Sequence, residues 1–348
     1  MASFDIQIRA MLRPFGCKYF LCISRVSIPR PPFAKCDKSA CTLFAFVWMI
    51  VDARQFTQSM QRTYYLDNVC CILILHMIYT CHIALACGGG SSAIISCIGT
   101  TFSFFMSWFF FKGGMMHRTT TTKEIVRKSF KRLLVPYFVF LIIGFILDGI
   151  FRKLGNPDIG ILKFIKIEGG TFACNTVLEP TAASWFLLSL FIARITFNAL
   201  CNKVHPLFIT ILFACIAFAV HIARVRGLEF DINWSGSNFH CKFPPYYLGN
   251  MCHGISVYSL GGYLKEKQFD VKIFAAATAL FAIKYFIPAG IDFRMNAPTN
   301  SYVLAVLYGM AGCIVINNVF KRWVNIKIPL VSYIGANSMV YYLVHYPV

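Results

Sequence analysis

IGANSMVYYLVHYPV, residues Ile334–Val348, decides how this chain folds. The run reads as a helix crossing a membrane, and His345 sits inside it. An ionisable side chain at that depth is costly, which makes it a functional candidate by default. Ser338, Tyr342 and His345 recur at i, i+4 and i+7, so they share one helical face. That polar stripe faces the interior of a helix bundle. Interhelical hydrogen bonding explains Ser338 and Tyr342 at least as well as function does.

A second histidine, His82, lies in the first convincing apolar run. It follows Asp67 by fifteen residues, as His345 follows Leu330, so both sit about 22 Å along their helices. Two imidazoles at one depth suit general acid–base work near neutral pH. His76 precedes His82 by six residues and points about 120° away around the helix. His253, flanked by Gly249 and Gly254, is a weaker candidate. His117, His205 and His240 fall in loops.

Composition agrees with a membrane bundle. Of 348 residues, 57% are hydrophobic and 14% charged, and the mean hydropathy is +0.63. A soluble domain carries about 25% charged residues. The net charge of +19 lies between apolar runs and marks one membrane side, so it does not suggest nucleic acid. The 15 cysteines form no C-x-x-C pair and no zinc-spaced cluster, so neither a disulfide framework nor a metal site is expected.

The fold expected is all-α, a polytopic transmembrane bundle. Apolar runs fall near 68–87, 93–112, 135–151, 184–200, 206–223, 246–264, 271–288, 302–320 and from 330 to the end. Residues 1–62 form a basic extension, poorly structured or interfacial, whose run Ala40–Val51 is too short for a comfortable span. Residues 63–348 are the transmembrane domain. The loop after the second span carries Lys112, Arg118, Lys123, Arg127, Lys128, Lys131 and Arg132 against Glu124. Basic loops also follow the sixth span (Lys265, Lys267, Lys272) and the eighth (Lys321, Arg322, Lys327). The alternate loops are neutral or mixed, which puts the N-terminus in the cytoplasm. In the densest basic run, Arg127 with Lys131 and Lys128 with Arg132 are i, i+4 pairs able to hold phosphates. Contact with anionic lipid, or the topology rule alone, explains them more simply.

Four segments together resemble the acyltransferase-3 family of multi-span membrane acyltransferases. They are Tyr64-Tyr-Leu-Asp67-Asn68 leading to His82, Trp108–Gly114 with the basic run to Arg132-Leu-Leu-Val-Pro136-Tyr137, Ser184-Trp185-Phe186-Leu187, and Asn337-Ser338 through His345. Gly261–Leu264 and Asp292-Phe-Arg294 fit less specifically. The resemblance covers residues 63–348. The chain departs from the family at Cys70, where a basic residue is usual, and at Gly113-Gly114 in place of Ser-Gly. Ser129 stands where the family has an arginine. His82 falls one residue late, and His76 interrupts the run before it. The family has a tenth span, whereas this chain ends within the ninth.

The resemblance implies transfer of an acyl group, most simply acetyl from acetyl-CoA, to a hydroxyl of a carbohydrate or lipid-linked glycan. His82 would be the base or a transient acyl carrier, supported by His345, with Asp67 fixing span one. Arg127, Lys128, Lys131 and Arg132 would hold the CoA phosphates. Ser338, Tyr342, Trp185, Asp292 and Arg294 would meet the acceptor. Acyl-CoA is then a donor substrate rather than a resident cofactor, and the expected place is the plasma membrane. A catalytically inactive member, or a transporter using the histidines as a relay, are the alternatives.

Overall fold

A computed structural model describes residues 63–84, 92–155, 160–234, 237–265, 267 and 270–345. The expected extension over 1–62 lies outside the described residues. Each of the nine expected segments holds a helix, but six helices are long and apolar enough to cross a membrane: Tyr64–Ile83, Ala93–Met115, Thr122–Gly155, Pro180–Leu200, Pro206–Val225 and Tyr302–Trp323.

The order begins with α1 (Tyr64–His76), which continues as a π-helical segment, Met77–Ile83. Next come α2 (Ala93–Phe102), α3 (Phe105–Met115) and α4 (Thr122–Ser129). A π-helical turn, Phe130–Leu134, leads into α5 (Val135–Gly155). Then follow α6 (Ile161–Asn175), the 3-10 turn Glu179–Ser184, α7 (Trp185–Leu200) and α8 (Pro206–Val225). An antiparallel hairpin of β1 (Leu228–Trp234) and β2 (Ser237–Phe243) precedes α9 (Tyr246–Leu264) and α10 (Val271–Ile283). The short pair β3 (Ile291–Asp292) and β4 (Ala297–Pro298) precedes α11 (Tyr302–Trp323), α12 (Pro329–Ala336) and α13 (Ser338–Val344).

The three expected spans outside the six differ for separate reasons. Helix α9 is too polar: Asn250, His253, Ser256 and Ser259 all lie along it and all are buried. It is the inner post of the bundle, packed by α3, α7 and α8, and has little need of a lipid-facing surface. Helix α10 is only 13 residues long. The last span is broken at Asn337 into α12 and α13. Helix α6 and both hairpins occupy stretches expected to be loops.

Burial is inverted relative to a soluble protein. Phe138, Ile142, Ile146 and Ile150 of α5 and Phe208, Ile211 and Leu212 of α8 are exposed. Buried serines and asparagines hold helices together instead. Ser256 donates to the Thr210 carbonyl at 2.7 Å, and Ser189 donates to Asn250 at 3.0 Å. Interhelical hydrogen bonds and close packing are the adhesive available where lipid is as apolar as the side chains.

Contacts also fix relative direction. On α3 and α9, Phe110 meets Gly254 while Phe111 and Met115 meet Gly261, so the two helices run parallel. Helix α7 runs the same way, with Phe186 on Phe110 and Phe197 on His117. The second, fourth and sixth expected spans therefore point in one direction, as alternate crossings require. A Cβ at Gly261 would overlap the Phe111 carbonyl, so only glycine admits this approach.

The bend between α2 and α3, at Ser103–Phe104, releases the Thr100 carbonyl from its helical partner. The buried ammonium of Lys284 donates to it and, at 2.5 Å, to Ser103 Oγ. The Tyr285 hydroxyl adds a 2.8 Å bond to Thr101. A kink left open in the bundle would cost an unsatisfied carbonyl.

Candidate active site

Span one and span nine are tied at the end that holds the basic loops. Asn68 Nδ2 donates to the carbonyls of Val324 at 2.8 Å and Ile326 at 3.0 Å. The Asn325 side chain accepts from the Tyr65 amide at 3.2 Å. One turn further, α12 crosses α1 so closely that a Cβ at Gly335 would overlap the Asp67 carbonyl. The Tyr64-Tyr-Leu-Asp67-Asn68 segment thus works partly through its backbone, as the seat for span nine. Asp67 is half-buried here, about 22 Å of helix away from His82, so it does not join the histidines.

From that seat the two spans run parallel to the other end, where His82 and His345 meet. Their Nε2 atoms are 3.3 Å apart and their ring centroids 4.8 Å, with the planes at 59°. His345 Nδ1 lies 2.5 Å from the Tyr342 carbonyl. A carbonyl only accepts, so Nδ1 of His345 carries the proton and its Nε2 presents a lone pair. His82 then donates from Nε2, which leaves His82 Nδ1 as the basic atom. His82 is exposed and His345 half-buried. The pair is reachable, and its tautomers follow from one backbone oxygen.

His82 stands in the π-helical segment, a geometry that recurs at functional sites. A π turn holds one residue more than an α turn. It absorbs the extra residue by which His82 is displaced relative to the family pattern. His76 faces elsewhere: it is buried against Phe102 and Phe105, with Cys81 Sγ 3.7 Å from its Nε2.

The stripe on span nine is only partly engaged. Tyr342 is buried, packs edge-on to Phe186 and lies 5.7 Å from the His345 ring. Ser338 opens α13 after the break, and Asn337 Nδ2 donates to the Tyr333 carbonyl at 2.8 Å. Trp185 is buried next to Phe186 and stacks on Phe293, centroids 5.9 Å apart. Phe293 also stacks on Phe110 at 5.1 Å and on His253 at 4.3 Å. The turn between β3 and β4, which carries Asp292 and Arg294, therefore enters the bundle through Phe293. Asn250 donates to the Arg294 carbonyl at 2.8 Å and fixes this turn. The Arg294 side chain lies within electrostatic reach of Tyr342. Asp292 is exposed and accepts from the Met295 amide at 3.1 Å, a turn-forming bond.

At the opposite end, Arg127, Lys128, Lys131 and Arg132 are exposed on α4 and the π turn after it. Lys128 pairs with Glu124 at 2.5 Å. The basic cluster and the histidine pair are separated by most of the length of span one.

Sequence reasoning missed Lys112. It was counted with the loop cations, but it lies on α3 and turns into the bundle. Its ammonium is 2.9 Å from Cys70 Sγ and 5.8 Å from the Trp108 ring centre. Cys70 is the position at which the family pattern has a basic residue, so a neighbouring helix brings a positive charge to the same place. The signal was available in a lysine four residues beyond a tryptophan on an apolar helix. His253 is buried, neither ring nitrogen is hydrogen-bonded to a described residue, and its ring stacks on Phe293.

No curated protein and no solved structure matches the chain. A family model does, that of the acyltransferase domain named for the third acyltransferase family, and its match runs over residues 63–348. The seat of span nine on span one, the paired imidazoles and the kinked second span all fall inside that match, and the chain belongs to the acyltransferase-3 family of membrane acyltransferases.

Proposed function

We propose that the chain moves an acetyl group from acetyl-CoA to a hydroxyl of a carbohydrate or lipid-linked glycan. The observation that carries the reading is the 3.3 Å contact between His82 and His345, with the second imidazole oriented by the Tyr342 carbonyl. His82 Nδ1 takes the proton of the acceptor hydroxyl as its oxygen attacks the thioester carbonyl. The imidazolium that forms keeps its Nε2–H on His345 Nε2, which stabilises it. The C–S bond then breaks, and His82 returns the proton to the departing thiolate.

Arg294, with Asp292, Trp185, Tyr342 and Ser338, would contact the acceptor. Arg127, Lys128, Lys131 and Arg132 would draw the donor's phosphates to the cytoplasmic face of the plasma membrane. Lys112 lies between the two ends. His82 is twelve residues beyond Cys70, about 18 Å along the helix, a gap that suits the pantetheine arm.

The test is transfer from labelled acetyl-CoA to glycan acceptors by protein reconstituted in lipid discs. His82→Ala should lower turnover about 10²–10⁴-fold, the usual worth of a positioned base. His345→Ala should lower it less, because the base remains but its tautomer is no longer held. Turnover unchanged in His82→Ala would sink the assignment.

A further inference from the structure

At the end of the bundle away from the basic loops, a second cluster of side chains lies outside the histidine pair, where α8 ends and α9 begins. Arg224, in the last turn of α8, is half-buried. Its guanidinium carbon is 5.3 Å from the ring centre of Tyr246, the first residue of α9. Its Nη1 is enclosed by protein without a hydrogen-bond partner, and the guanidinium enters no ion pair among the described residues. Packing on an aromatic ring holds a guanidinium through its face and leaves its N–H edge for an anion. The residue keeps partial exposure, so that edge is reachable.

His221 is three residues earlier, on the same face of α8. It stacks on Tyr302, centroids 5.1 Å apart and planes at 24°, and lies within electrostatic reach of Arg224. The Tyr302 hydroxyl donates to Asn296 Oδ1 at 2.7 Å, and Asn296 Nδ2 donates to the Ala217 carbonyl at 3.0 Å. Tyr246 and Tyr302 are both buried, so each of the two α8 side chains rests on a fixed ring. The turn that carries Asn296 leads on to the reacting groups. Its Phe293 stacks on Trp185, and its Arg294 is within electrostatic reach of Tyr342, whose ring is 5.7 Å from that of His345. Asp292, beside that turn, is exposed and accepts from the Met295 amide. A guanidinium partly withdrawn from water without a counter-charge is costly, and a ligand's own anion would complete it.

We propose that Arg224 is an anion subsite for the acceptor. The saccharide whose hydroxyl is acetylated then also carries a carboxylate or a phosphate, which accepts two N–H bonds from the guanidinium. The proposal rests on the acetyl-transfer reading above and adds a charge to its acceptor. A saccharide is favoured over a lipid headgroup because Arg224 turns toward α9, whereas Ile211, Leu212 and Val225 mark the lipid-facing side of the same helix.

The probes are maltohexaose, maltohexaose oxidised at C6 to carboxylates, and maltohexaose phosphorylated at C6. Binding is measured by calorimetry on the full chain in neutral-lipid discs at physiological salt. At least one anionic form should bind about tenfold more tightly than the neutral one, the worth of one charge-assisted hydrogen bond. Arg224→Gln should remove that difference. Arg224→Lys keeps the charge but not the fork; it should lose several-fold of the difference, and it is read alone if the glutamine variant does not fold. Arg226→Gln removes an exposed charge two residues further on and should change binding less than twofold. Neutral and anionic forms that bind alike, or not at all, would overturn the subsite. So would an undiminished difference in either Arg224 variant, or equal losses in Arg224→Gln and Arg226→Gln. Where saccharide binding survives in Arg224→Gln but a phosphatidylglycerol retained by the wild type is lost in native mass spectrometry, the anion is a membrane headgroup and the proposal fails. Binding of an anionic form without acetyl transfer would leave the subsite standing and remove the functional reading. Transfer to the neutral saccharide as fast as to the anionic ones, undiminished in Arg224→Gln, would do the reverse.

Discussion

His117 sits in a connecting loop yet is shut away from water. Burial, and after it the charges of Arg194 and Lys265, hold its imidazole down at about 4 against the ordinary 6.5. The unfolded chain therefore binds the proton first. Its contribution to stability is complete above pH 6.5 and is lost as pH falls towards 4. Thermal unfolding followed from pH 7.5 to 4.5 should show a falling midpoint that is shallower in His117→Asn. Lys112 gives a second prediction of this kind. Lys112 is half-buried, and exchanging a charge held against a packed helix for an apolar side chain of similar length is often neutral or stabilising. Lys112→Met should leave the unfolding midpoint unchanged or higher while reducing kcat/KM for the donor at least tenfold. A midpoint that falls together with activity would assign Lys112 to the scaffold. Both residues were visible in the sequence, but as members of a basic loop. Which of several cations turns inward is set by neighbouring helices, which the local pattern does not report.

At the scale of elements, the crossing of α12 over α1 controls the site from a distance. Gly335→Ala must push span nine off the Asp67 carbonyl, at a cost of about 1–3 kcal/mol for overpacking. The shift is carried along the span to His345, so activity should fall more than the midpoint suggests, while Ala336→Gly should spare activity. Helix α6 gives an electrostatic case. Arg152 of α5 bonds both Asp148, at 2.7 Å, and Glu168 of α6, at 2.9 Å. Glu168, outside the six candidate spans, is raised from 4.5 to about 7 by burial and then by Asp148. The folded state here holds the proton more tightly, so the helix is best attached below pH 4.5 and loosens as pH rises through 7. Corrected for the intrinsic acceleration of amide exchange with pH, exchange over 161–175 should still quicken between pH 5 and 7.5, and Glu168→Gln should abolish that residual change. The segment was read as an outer loop because its glutamate and two lysines interrupt the apolar run. The inward face that buries Glu168 against Arg152 depends on a partner sixteen residues away.

For the molecule as a whole, the alternation of basic and neutral loops foretold the directions of the helices well. Helices α3, α7 and α9 run one way, and α1 runs with α12 and α13. The depth match of His82 and His345 was legible for the same reason: both were counted from equivalent ends of parallel spans. The number of crossings was less legible, since α9 is buried enough to be polar and the last span breaks at Asn337. Cysteines introduced at Thr120, Lys267 and Lys327 should react with an impermeant maleimide from one side of sealed vesicles, and one at Asn300 from the other. Labelling of all four from a single side would refute the arrangement. The widened turn from Met77 to Ile83 has a consequence of its own. It stores one amino acid of slack just before the imidazole. Excising Tyr79, a residue 62% exposed, would let the coil tighten to ordinary pitch and keep His82 aimed at its partner. The same excision within Tyr64–His76 has no such reserve and would swing the ring about 100° aside.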